Sequence, residues 1–268
     1  MPVTFFAHQL PVLPIARRWP GRFDGVALVV GSMAPDMAYL LNGSRWSLWA
    51  HGFPSAVTFC VPVTVAVAWI LVRVIAPVVP DHLPRLAPWH LRDYRGLAAH
   101  RFGWVTTPLS ALVGTATHIV LDNFTHDWGW FAQNISWYGD VLLAGPLGRD
   151  WTAYRIAQYL GHFVGTGLCL VVLARLGRQR WMADRAAVVP KTQRTALSTL
   201  TLAASTLTGC LAGILWIVTD PMESATDIIR LTTTTFIGVA IGSLVIARSS
   251  QGVANPHDLQ HPTPNVGC

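Results

Sequence analysis

Residues 196–219 read ALSTLTLAASTLTGCLAGILWIVT, 24 consecutive positions without an acid, a base or a proline. About 20 mostly apolar residues in a helix suffice to cross the hydrocarbon core of a bilayer. Working outward, four more stretches have this character: Ser55–Val79, Trp104–Phe124, Tyr154–Leu176 and Ile228–Ala247. A sixth, Asp24–Leu41, is shorter and interrupted by Pro35, so it either spans or re-enters. The reading is an all-α fold: a polytopic membrane helix bundle with five or six membrane segments. Residues 1–248 form the bundle, with the polar site in 1–176. Residues 249–268 are polar and proline-bearing, and are expected to be a disordered cytoplasmic tail.

Composition agrees. Of the 268 residues, 52% are hydrophobic and 12% charged, with a mean hydropathy of +0.42. An ordinary soluble domain carries about 25% charge. A soluble globule and a disordered chain are both excluded, the first by too little charge and the second by too much apolar surface. The net charge of +6 needs no nucleic-acid partner, because the basic residues fall on one side. With six crossings, Met1–Phe23, Pro80–Gly103, Gly177–Thr195 and the tail carry 13 Lys and Arg; the opposite loops carry 2, against six acids. The positive-inside rule then makes this an integral protein of the plasma membrane with both termini cytoplasmic. Trp46, Trp49, Trp128, Trp130, Trp137 and Trp151 flank the outer ends, where an aromatic belt belongs. The four cysteines make no CxxC pair, which excludes a cysteine zinc site and a disulfide framework.

Ionisable groups inside membrane segments are costly and mark functional candidates. Arg73, Arg155, Arg175 and Arg230 lie toward segment ends and read as snorkelling anchors. His118, Asp122 and His126 differ. They recur every four residues and share one helix face. His118 and Asp122 can reach one cation. His126 lies about 12 Å from His118 along an intact helix. Either the helix ends near Phe124 and His126 folds back, or two metals bind, or His126 supports a ligand. Asp36 follows Pro35, whose missing amide frees carbonyls in the preceding turn. His51 sits where the chain enters the Ser55 segment. By the arginine count, Asp36, His51, His118, Asp122 and His126 all fall in the outer half of the membrane. Imidazoles and carboxylates at one depth suit a divalent transition metal such as Zn or Mn. His8 conflicts with a simple first crossing: as a ligand it requires the N-terminal segment to enter the bundle or to dip and return. His162, beside Gly161 and Gly165, reads as a buried hydrogen-bonded residue where another helix approaches.

The stretches Thr4-Phe5-Phe6-Ala7-His8, Gly31-Ser32-Met33-Ala34-Pro35-Asp36, His51, and Thr117 to His126 with Gly129-Trp130 resemble a bacterial membrane-protein family catalogued as domain of unknown function 4184. The similarity covers roughly Met1–Leu176. The order His, Pro-Asp, His, His-x-x-x-Asp also resembles membrane-bound metal-dependent hydrolases, a group distantly similar to zinc-dependent phospholipase C. The resemblance implies a bacterial inner-membrane protein in which His8, Asp36, His51, His118 and Asp122 are the metal-site positions. The chain departs from the broader group in having one Asp after Pro35 and Gly52 after His51.

The leading expectation is a membrane-embedded metal-dependent hydrolase acting on a lipid-linked phosphoester, with a membrane lipid or lipid-linked molecule as its partner. His118, Asp122, His51 and Asp36 would hold the metal, and His126 or an unligated carboxylate would be the general base. Two alternatives stand beside it. One is a non-catalytic membrane protein in which His118 and Asp122 tie helices together; the other is an ion transporter. A transport path would need polar groups across the whole bilayer, and these gather in one leaflet.

Overall fold

The computed structural model describes residues 5–145, 150–222 and 224–253. These are predominantly helical, with loops and turns between the helices. Among them, the strands Val141–Leu143 (β1) and Trp151–Thr152 (β2) form one short antiparallel pair. At the centre stands a 20-residue helix, α7 (Thr106–Thr125). Its buried residues Thr107, Ser110, Ala111, Gly114, Thr115, His118 and Asp122 recur every three or four positions, so they line one face. That face is small and polar, whereas Leu109, Val120 and Phe124 point outward and are exposed. The pattern inverts that of a soluble helix. It suits surroundings as apolar as leucine, where small residues permit close packing and polar ones find partners only inside.

The N-terminal helices wrap this face. They are α1 (Phe5–Gln9), α2 (Val12–Arg18), α3 (Gly25–Gly31) and α4 (Ala34–Met37), the last continuing into a 3-10 turn over Ala38–Leu41. Asp24 starts α3. Its Oδ1 accepts from the amides of Val26 and Ala27 at 3.0 Å, and its Oδ2 from the Thr107 hydroxyl at 2.7 Å. Its own amide donates to Ser110 Oγ at 2.9 Å. Asp24 is thereby fixed to the first turns of α7, while His8 lies against Asp122 near the last turn. Between His8 and Asp24 the chain runs down the length of α7, and α3 and α4 bring it back up. The expectation that Met1–Phe23 lies on one side of a simple crossing is therefore corrected. The segment dips and returns: α3 approaches α7 backbone to backbone at Gly31 and Gly114, α2 packs on α3, and α1 reaches α7.

Among the described residues, four helices are long and apolar enough to cross a membrane: α5 (Ala56–Ile75), α10 (Ala153–Arg178), α12 (Ala196–Thr219) and the Ser224–Ser250 part of α13 (Ser224–Val253). The helix α7 has the length but, with its polar face, is not among them. Between α5 and α7 lie α6 (Val79–His82) and a 3-10 helix over Leu91–Ala99. Two short helices, α8 (Trp130–Asn134) and α9 (Ser136–Gly139), follow the site end of α7, and α11 (Ala183–Ala187) follows α10. Ser249–Val253 complete α13; the rest of the expected tail lies outside the described residues.

The helices α12 and α13 form a hairpin. A Thr195–Ser198 capping box opens it. Backbones meet where Gly209 faces the Thr234 carbonyl and Gly238 the Ser205 carbonyl. The hydroxyls of Thr199, Thr201, Thr206 and Thr208 donate to carbonyls four residues back. Arg230 differs from the expected snorkelling anchor. It is only 2% exposed. Its Nη2 donates to Asp220 Oδ2 at 2.9 Å and its Nη1 to the Asp220 carbonyl, and it lies 4.6 Å over the Trp216 ring. The hairpin turn brings acceptors to the guanidinium, so it need not reach water.

Candidate metal centre

The centre is assembled from α4, the loop before α5, and α7. Pro35 has no amide to give to the Gly31 carbonyl four residues earlier. That carbonyl accepts from Thr115 Oγ1 at 3.2 Å instead. The neighbouring Ser32 carbonyl accepts from His118 Nδ1 at 2.8 Å. A carbonyl can only accept, so His118 carries its proton on Nδ1, and a neutral ring then presents the Nε2 lone pair inward. This is the outer hydrogen bond that orients a metal-binding imidazole.

That lone pair faces an unusual set of neighbours. His118 Nε2 lies 3.1 Å from Asp122 Oδ2, 3.5 Å from Asp36 Oδ1 and 3.3 Å from His51 Nε2. His51 Nε2 in turn lies 3.2 Å from Asp122 Oδ2 and 3.4 Å from Asp36 Oδ1. One ligand atom from each of Asp36, His51, His118 and Asp122 falls within 4.8 Å of all the others, and all four residues are buried. Ligands about 2.0–2.2 Å from a tetrahedral ion are separated by about 3.3–3.6 Å. The two imidazole nitrogens stand 3.1–3.5 Å from each other and from the two carboxylate oxygens, close to that spacing. The four residues could hold a divalent cation.

The other expected residues fall nearby. The helix α7 ends at Thr125, and His126 turns back in extended conformation, so its Nδ1 comes within 3.6 Å of Asp122 Oδ1. Of the three sequence-level options, the helix end accounts for its approach. Gln158 Nε2 is 3.0 Å from His126 Nε2. His8 joins the cluster: its ring stacks on His118 at 3.9 Å between centroids, and its Nε2 is 3.6 Å from Asp122 Oδ1. At 3.6 Å neither contact is a hydrogen bond. His162 is buried, but its Nε2 has no hydrogen-bond partner, unlike the satisfied residue expected. A side chain on Gly165 would meet Ala7, while one on Gly161 would meet nothing within 4 Å, so one glycine of the pair serves the helix approach.

An aromatic shell closes the site. Trp128 stacks on His126 at 5.2 Å and meets His51 at 5.5 Å and Trp49 at 4.9 Å, each edge-on. Trp49 and Tyr39 also contact His51. The sequence assigned Trp49 and Trp128 to a membrane belt and gave no role to Gln158 or Ser32. Ser32 was within reach of the Pro35 argument. Nothing in the spacing pointed to Gln158. No curated protein and no solved structure matches the chain. A family model described as domain of unknown function (DUF4184) matches residues 1–249, over the dipping limb, the His/Asp cluster and the four apolar helices alike, and the chain belongs to that family.

Proposed function

We propose that the protein is a membrane-embedded metal-dependent hydrolase of a lipid-linked phosphoester, working beneath the outer headgroup layer. One observation carries the reading. Two imidazole Nε2 atoms stand 3.3 Å apart before the same two carboxylates, and one ring has its other nitrogen committed to a carbonyl. Four buried groups so arranged are better balanced by a divalent cation than by one another. A Zn or Mn ion would supply Lewis acidity and an activated water there.

The chain's own residues do the rest. Asp36, His51, His118 and Asp122 fix the electrophilic centre, and the Ser32 carbonyl fixes the His118 tautomer. His126, or a carboxylate not used on the ion, would take the proton from the attacking water. Trp49 and Trp128 keep bulk water out. In the segments that flank His51 and follow His126, Trp46, Trp49, Phe53, Trp130, Trp137 and Val141–Leu143 are exposed and largely aromatic or aliphatic. Such a rim sits at the level of lipid headgroups. It favours a substrate that arrives from the bilayer with its ester at the interface. The plasma membrane, and the outer-leaflet placement of the site, rest on the arginine distribution.

The test is hydrolysis of phospholipid and polyprenyl-phosphate vesicles, beside a water-soluble phosphodiester, by purified protein with Zn or Mn. Turnover lost in Asp122→Ala supports the proposal. Equal turnover by both proteins overturns it. Stoichiometric metal without turnover of any ester favours a structural centre.

A further inference from the structure

We infer a second catalytic site away from the metal centre: a serine–histidine pair, Ser198 and His82, that cleaves carboxylic esters of lipid at the cytoplasmic headgroup level. It uses none of the residues of the metal centre. His82 closes α6, and Ser198 lies in the first turn of α12. His82 Nδ1 is 3.0 Å from the Val78 carbonyl, and its Nε2 is 2.9 Å from Ser198 Oγ. A carbonyl can only accept, so the Nδ1 proton goes to Val78, and a neutral His82 turns its Nε2 lone pair to the serine hydroxyl. Nucleophile, base and orienting acceptor thus follow one another, each within hydrogen-bond reach of the next.

Capping explains only half of what Ser198 does. In the capping box its oxygen accepts from the Thr195 amide at 2.9 Å. The hydroxyl hydrogen remains, and His82 Nε2 is closer to Oγ than the carbonyls of Thr195 and Gln193, at 3.1 and 3.4 Å. His82 is buried and Ser198 half-buried, so the base is shielded while the nucleophile can be reached. Polar contacts tie together the segments that carry them. The Thr192 amide donates to Asp81 Oδ2 and its hydroxyl to the Pro77 carbonyl, both at 2.8 Å, and Arg95 Nη1 donates to Asp81 Oδ1 at 2.5 Å.

The start of α12 supplies the rest. The capping box uses the amides of Thr195 and Ser198. Those of Ala196 and Leu197 have no carbonyl to reach within the helix. With the helix dipole they favour negative charge beside Ser198, which an ester carbonyl oxygen acquires when its carbon is attacked. Leu197 and Leu200 are exposed on this membrane-length helix, and Lys191 and Arg194 are exposed just before it. Apolar surface beside cations matches acyl chains beneath anionic headgroups, and the arginine distribution puts this end of α12 at the cytoplasmic leaflet. Ser198 Oγ adds to the acyl carbon as its proton passes to His82 Nε2. The bond to the alcohol oxygen breaks, that oxygen takes the proton, and the acyl group stays on Ser198. Water then attacks the acyl carbon, giving a proton to His82; the acid departs and Ser198 recovers its proton.

A fluorophosphonate, whose phosphorus an activated serine attacks with loss of fluoride, tests the pair in full-length protein purified in detergent. Label on Ser198, mapped by peptide mass spectrometry, is expected. It should be absent from Ser198→Ala and form about a hundredfold more slowly in His82→Gln. Ser198→Asn, whose amide oxygen can still cap α12, stands in where Ser198→Ala does not fold. No label on the folded unaltered protein, or an equal rate in His82→Gln, overturns the pair. Chelator should leave labelling unchanged, whatever becomes of phosphoester hydrolysis at the metal centre; labelling lost with chelator overturns an independent site. Fatty acid released from phosphatidylglycerol micelles by the unaltered protein and not by Ser198→Ala supports the lipid ester. Turnover of a soluble p-nitrophenyl ester alone overturns lipid as its source.

Discussion

The Leu28 carbonyl occupies the space into which a side chain on Gly114 would project. This is where α3 and α7 touch, so the contact is backbone against backbone and neither partner can turn aside. Gly114→Ala should push α3, and with it the α4 turn that carries Asp36, away from the helix that carries His118. Overpacking of this kind costs about 1–3 kcal/mol, or more where backbone must move. Gly161→Ala is the control: a Cβ there meets nothing within 4 Å, and Ala is favoured over Gly in a helix by about 0.5–1 kcal/mol. Thermal unfolding in detergent should show a lower midpoint for Gly114→Ala, with loss of bound metal, and no loss for Gly161→Ala.

Removal of metal should destabilise the protein, because the ion binds the folded cluster and not the separated residues. A ligand at a thousand times its Kd stabilises by about 4 kcal/mol. Chelator should therefore lower the unfolding midpoint by several degrees. The same chelator should leave Asp122→Asn and His118→Ala unmoved, since those variants have lost a ligand already. An identical response of all three proteins would argue that the cluster holds helices together without an ion.

The residues that were legible and those that were not separate by the range of their interactions. His118 and Asp122 are four apart, and helical geometry alone places them on one face, whereas His126 reaches them from just past the end of that helix. Pro35 announces that the Gly31 carbonyl is free. Which group would satisfy it was not legible, since Thr115 lies on another helix. His8 could not be placed by pattern. Its position depends on α2 packing on α3 so that α1 reaches α7, and the short apolar run at Val12–Ala16 has no periodicity long enough to predict that. Arg230 misled for a related reason. Its partner Asp220 comes from the turn of a hairpin that composition describes only as two apolar stretches.

Asp24 predicts acid sensitivity away from the metal. Burial pushes its carboxyl up, but the His100 imidazole at 3.0 Å, the Thr107 hydroxyl and the Ala27 amide outweigh that and hold it below its ordinary range. A carboxyl with a depressed folded-state pKa contributes stability above its unfolded pKa of about 3.9, and loses it as pH falls through the lower folded value. In metal-free protein, unfolding followed from pH 6 downward should show this loss below about pH 4. Asp24→Asn should be less stable at pH 6 and should show less of the acid loss.

The orientation of the site turns on the limb between His8 and Asp24. Had Met1–Phe23 lain wholly on one side of the membrane, Arg17, Arg18 and Arg22 would have lain with the N-terminus. The dip instead carries them to the Asp24 end of α7. There they are exposed, at the end where Arg101 precedes α7. The basic cluster therefore survives the correction to the first segment, while His8 moves to the site end. Single cysteines in a cysteine-free background test the consequence. Asp140 and Gln193 are both exposed, one in the loop after α9 and one before α12. A membrane-impermeant maleimide should label Asp140→Cys in intact cells and Gln193→Cys only after permeabilisation. The reverse pattern would put the metal ligands in the cytoplasmic leaflet, and a lipid substrate of the outer leaflet would have to be abandoned.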